Sequence, residues 1–290
     1  IDAPWLDDLR RHDLERDPEI LRLLADLPPE ARRINQLLTW AWAAAEAYQV
    51  PAGKRESLTI TRLLSDAVSL HPRWRDARSV DAAVAAGAIW MLAQRLMPSS
   101  PPAAALDTAW HIQTEVDAYI NEKRRQLTPP SPVMEVTFRA ASARVALARV
   151  DLRSVTAQAD FALALDPTVA APLVRGVMNL ALELMGFPSD PAEPPERAEP
   201  GPSFGIGLTY QDSVSEHLAR ALAALRQLNR AACRAALASF TGMPPGAPGW
   251  TGVVFVQELA GALWGDPEAT LHRADAAFAR HAVVSLEHSG

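Results

Sequence analysis

Three observations predict an all-α fold. Apolar residues recur at helical spacing along nearly the whole chain, and alternating runs rich in β-branched residues are nearly absent. Most prolines also fall at the junctions between the apolar runs.

In order along the chain, residues 4–26 read as one or two amphipathic helices, broken at Leu27-Pro28-Pro29. A helix follows over 30–49 and stops before Pro51, because the residue ahead of a proline is pushed out of the helical region. Further helices are expected at 55–70, 79–97, 102–126, 132–150, 152–165 and 167–186. Pro98, Pro101-Pro102, Pro129-Pro130 and Asp166-Pro167 mark the junctions, with proline in a first turn where its missing N–H costs least. The last helices are expected at 211–240, 249–264 and 267–283. Two segments break the pattern. Residues 187–209, with six prolines among acidic and glycine residues, read as a mobile loop, and 241–249 reads as a Pro/Gly turn.

With 290 residues, 49% of them hydrophobic, the chain can bury one large core, and 1–290 reads as a single domain without internal repeats. No apolar run is long enough for a membrane span. The opening Ile1-Asp2-Ala3-Pro4-Trp5 has neither the basic start nor the apolar stretch of a signal peptide. A lone Cys233 excludes an internal disulfide and fits a reducing compartment, so a cytoplasmic setting is expected. A net charge of −6 without a long Lys/Arg cluster to offset it argues against a nucleic-acid partner.

Pro130 to Ser142 reads P-S-P-V-M-E-V-T-F-R-A-A-S. This segment resembles the class I terpene synthases of bacteria, which have a Pro-Ser entry, a glutamate and an arginine four residues later. The resemblance implies a helical bundle around a central apolar cavity, with Arg139 as the sensor of a substrate diphosphate and Phe138 beside it. In that family a second metal motif of Asn, Ser and Glu begins about 46 residues after the arginine. Counting 46 from Arg139 reaches Met185, with Ser189 and Glu193 at the second and third ligand positions. Trp40 and Trp42 fall where the family has an aromatic-rich helix, and Trp264-Gly265-Asp266 falls near its closing turn. Phe187 and Trp264 would border the pocket.

The departures bear on chemistry. The family ionises an allylic diphosphate with three Mg²⁺ ions, hard cations that require several oxygen ligands. At the aspartate-rich position stands A-A-A-E-A-Y-Q, which leaves Glu46 alone. At the second site Met185 replaces a ligand, and Pro188 and Pro191 break the helix that would align Ser189 with Glu193, at about 3 kcal/mol each. Arg273 is followed by Ala274 instead of the family's tyrosine, and Ser142-Ala143 stands where the family has its Asp/Gly kink pair.

Single residues carry two readings each. Glu46, Trp42 and Gln49 share a helical face, either a pocket wall with an indole for cation–π contact or an ordinary amphipathic face. Arg139 is either an anion clamp or one half of an ion pair with a neighbouring acid. Asp107, His111 and Glu115 form a stripe four residues apart, suited to a transition metal but lacking a partner motif, so a solvated charge ladder is expected. The run Gly201 to Gly207 lacks the strand and lysine of a phosphate loop.

The function expected from this resemblance is a noncanonical cyclase that folds an isoprenoid or polyene-like substrate in an apolar pocket. Glu46 and Arg139 would be catalytic, and Trp42, Phe138, Met185, Phe187 and Trp264 would contact the substrate. No cofactor is expected in this reading. The alternatives are a Mg²⁺-dependent synthase using Ser189 and Glu193 as ligands, or a non-catalytic binding or partner protein that retains the fold. A small hydrophobic substrate is the expected partner, with a homodimer admitted.

Overall fold

The computed structural model describes residues 18–35, 73–95, 102–189, 208–240 and 250–265. Among these, regular structure is entirely helical. Helix α1 spans Pro18–Asp26, and residues 29–35 are again helical after Pro28. A 3₁₀ turn, Trp74–Asp76, leads into α2, Val80–Arg95. Then come α3 (Pro102–Arg125), α4 (Pro132–Ala148), α5 (Leu152–Leu165) and α6 (Pro167–Leu184). The described chain continues with α7 (Leu208–Arg226), α8 (Arg230–Ala238) and α9 (Trp250–Trp264). No described helix is long and apolar enough to cross a membrane.

Caps explain where the helices start. Ser131, Asp151, Asp166 and Asn229 are N-caps whose side chains accept N–H groups of the first turn, and Pro132 and Pro167 occupy the first helical position. The α4 entry is also tied to α2, because the Ser131 N–H donates to Asp81 Oδ1 at 2.7 Å.

Helix α4 is the axis of the bundle and packs against α2, α3, α5 and α6. Every residue from Met134 to Ala146 is buried, so this helix has no solvent face. Its alanines let neighbours approach closely, while Phe138, Trp74, Trp90 and Met91 fill the volume around it. Helix α6 joins this core to a second one. Its Leu173, Val174 and Val177 pack in the first core, whereas Leu180 packs with Val214 and Leu218 of α7 and Val253 and Val256 of α9. Gly176 marks the tightest approach of α6 to α7, where a Cβ would lie 2.0 Å from the Asp212 carbonyl oxygen.

Most expected boundaries lie within a residue or two of those observed. One differs in kind: the single helix expected over 211–240 is two helices, α7 and α8. The chain turns at Leu228, whose φ is +55°, and the Asn229 N–H reaches back to the Ala224 carbonyl at 2.8 Å. Leu127 (φ 59°) and Val150 (φ 60°) end α3 and α4 in the same left-handed conformation. At all three positions the bond pattern that normally follows a C-terminal glycine is built on a branched, exposed side chain. Such residues give no stop signal in a sequence.

Candidate functional site

The α4 entry that carried the family resemblance leads to a buried polar spine. Glu135, Arg139 and Arg144 lie four and five residues apart on a largely apolar helix that is buried from Met134 to Ala146. Arg139 Nη1 meets Asp117 Oδ1 of α3 at 2.6 Å and donates to Gln158 of α5 at 3.1 Å. Its Nη2 donates to Glu135 at 3.2 Å. Glu135 in turn receives Arg124 Nη2 on both carboxylate oxygens, at 2.6 and 2.5 Å. Phe161 stacks near both guanidiniums, 4.5 Å from that of Arg139 and 5.8 Å from that of Arg124. Burial pushes the Asp117 carboxyl up, against the opposing pull of the Arg139 guanidinium.

Two cations and two carboxylates thus neutralise one another between α3 and α4, with Gln158 and Phe161 of α5 closing the cluster. Both terminal nitrogens of Arg139 are committed to protein acceptors, and Phe138 beside it is fully buried. This matches the ion-paired reading of Arg139, with partners drawn from another helix as well as its own. An anion entering here would have to displace Asp117 or Glu135.

Arg144 serves a second interface. Its Nη2 lies 3.5 Å from Asp212 Oδ1 of α7. The Asp212 carboxylate accepts two N–H groups from the middle of α6, Gly176 at 2.8 Å and Val177 at 3.0 Å. In a regular helix those donors serve the carbonyls of Pro172 and Leu173. Burial dominates both side chains: it raises Asp212 to about 6, more than Arg144 and the N–H groups lower it, and brings Arg144 down to about 10. This arrangement clamps three helices together.

The second-motif region lies past the end of α6. Gly186, with φ +82°, terminates the helix, and the Phe187 N–H closes back on the Leu182 carbonyl at 2.9 Å. Met185 is therefore a C-cap residue, Phe187 is exposed, and Ser189 lies beyond the last helical turn. Ser189 donates its Oγ–H to Glu183 Oε1 at 2.6 Å and its backbone N–H to the same oxygen at 2.9 Å. Buried Glu183 also holds Arg226 of α7, 2.8 Å from its Oε2. Arg226 lines an open groove of about 440 Å³ between α7 and α9, whose other walls are Leu222, Leu225, Leu259, Ala262 and Leu263.

Other expected residues are dispersed. Trp264 ends α9 and packs, half-buried, against the second core. Asp107 pairs with Arg149 at 2.8 Å, and His111 lies 3.4 Å from Glu115 on an exposed face, as in a charge ladder. No group of three or more His, Cys, Asp or Glu side chains capable of holding a metal occurs among the described residues. Trp40, Trp42, Glu46, Gln49, Glu193, Gly201 to Gly207, Arg273 and Ala274 lie outside the described residues, as do the helices expected at 55–70 and 267–283.

Sequence reasoning missed Asp117, Arg144, Glu183, Asp212 and Arg226. For Arg144 and Glu183 a signal existed, a lone charge inside an apolar helical run, since such a charge needs a buried partner. Comparison with known family models, curated proteins and solved structures returns no match.

Proposed function

We propose that this chain binds a small, apolar, isoprenoid-like molecule on a helical bundle, with the groove between α7 and α9 as the docking site. The observation that supports this reading most is the groove itself. Four leucines from two helices leave apolar surface facing an open volume of about 440 Å³, within the range of small-molecule sites. On α9, Phe255, Leu259 and Leu263 recur every four residues and form an exposed stripe along this side. The isoprenoid character rests on the sequence resemblance. Binding without diphosphate ionisation is favoured because Arg139, the residue the resemblance assigns to the diphosphate, spends its terminal nitrogens on Asp117, Glu135 and Gln158. The test is a titration of the full chain with farnesol. Saturable binding that Leu259→Asp abolishes is the expected result; absence of binding overturns the proposal.

A second reading, a noncanonical cyclase with a central apolar cavity, draws on the capped Pro130-Ser131-Pro132 entry and the position of Arg139 on the axial helix. It places Glu46 and Trp42 at the reacting carbons, where an acid moves a proton and an indole face stabilises positive charge. Under this reading, purified protein converts farnesyl diphosphate to cyclic product in the presence of a chelator. The Mg²⁺-dependent alternative requires chelation to abolish that turnover.

A further inference from the structure

The groove is not uniformly apolar, and the exception has a definite chemistry. Among its lining residues Arg226 alone carries a charge, and its side chain is about two-fifths exposed, at 38%. Glu183 Oε1 and Oε2 both engage Arg226 Nη2, at 3.0 and 2.8 Å. Glu183 is itself buried and fixed by the two Ser189 donors, so the guanidinium is held in place from one side. Its Nε and Nη1 find no acceptor among the described residues. A positioned cation with spare donors, beside a leucine-lined groove, is complementary to an apolar chain ending in an anion.

Resting on the docking site proposed above, we infer that the groove takes an amphipathic carboxylate, its tail against Leu222, Leu225, Leu259 and Leu263 and its head on Arg226. The charge balance selects the head group. Glu183 already offsets most of the Arg226 charge, so there is no cation surplus for a diphosphate, whereas a singly charged carboxylate gains a charge-assisted hydrogen bond from the free edge of the guanidinium at modest electrostatic cost.

Farnesoic acid and farnesol share one chain and differ in the head group, so they separate this inference from the docking site beneath it. Calorimetric titration of the full chain at pH 7.5 is expected to show one-to-one binding of both, with the acid tighter by at least about tenfold. Arg226→Gln, which retains a donor for Glu183, is expected to remove that preference, bringing the affinity for the acid down to that for the alcohol. Should the substitution unfold the chain, the acid-to-alcohol ratio in the unaltered protein still decides. Equal affinities overturn the carboxylate inference and leave the apolar docking site standing. Binding of neither compound overturns both. So does concentration-dependent dimerisation that Leu259→Asp abolishes, because a second copy then occupies the groove.

Discussion

Arg139 of α4 and Asp117 of α3 meet at 2.6 Å inside the bundle, and this contact decides how the sequence resemblance is read. An arginine poised for a substrate phosphate keeps its terminal nitrogens free, whereas those of Arg139 are tied to Asp117, Glu135 and Gln158 from three helices and its buried Nε alone lacks an acceptor. Arg139→Met leaves half-buried Asp117 without its cation and Glu135 with Arg124 alone, a loss of up to about 3–5 kcal/mol. Arg139→Lys recovers little of it, because a single ammonium cannot span acceptors placed for a planar fork. Urea unfolding monitored by circular dichroism measures both. An Arg139→Met variant as stable as the parent contradicts the structural role.

The turn residues make the opposite prediction. Val150 is β-branched, exposed and held at φ 60°, a conformation costing roughly 1–2 kcal/mol for an L-residue. Val150→Gly removes that strain while adding unfolded-state entropy, for a net gain of about 0.5–1 kcal/mol. Leu127→Gly and Leu228→Gly follow the same logic. A rise in the urea midpoint at unchanged m-value is the expected observation.

Close packing of α6 on α7 fixes the sense of a third substitution. Gly176→Ala places a methyl group 2.0 Å from backbone that cannot move without separating the helices. It should destabilise the fold by at least about 1–3 kcal/mol, even though alanine is the better helix former. Thermal unfolding is sufficient to detect this.

Asp212 gives the fold a specific pH signature. Its folded value of about 6 stands above the unfolded 3.8, so between these values the folded chain retains a proton that the unfolded chain has lost. Stability from this group therefore falls as pH rises from about 4 to 6 and is level above that. Asp212→Asn removes the component. The stability difference between parent and variant, from urea melts at pH 4 and pH 7, should be larger at pH 4. A difference that grows toward pH 7 contradicts the dominance of burial over the Arg144 charge.

The all-α class and most helix ends were legible because prolines and Ser, Asp or Asn caps carry local geometry in their own chemistry. The break between α7 and α8 was not, since Leu228 resembles a core residue and only the folded chain holds it left-handed. At the site, the importance of Arg139 was readable from one helix. Its closure was not, because Asp117 and Gln158 come from other helices and their meeting depends on how α3 and α5 pack on α4. The α7–α9 groove was likewise invisible: its leucines fit ordinary core positions, and Arg226 gains meaning only when Glu183 fixes it.

The most direct test of the account is photolabelling of the full chain with a benzophenone-bearing farnesyl alcohol, followed by peptide mapping. Label concentrated on Leu222, Leu225, Leu259 and Leu263, and competed away by farnesol, is the predicted result. Label on α4 around Phe138 and Arg139 would place the ligand at the bundle axis and contradict it.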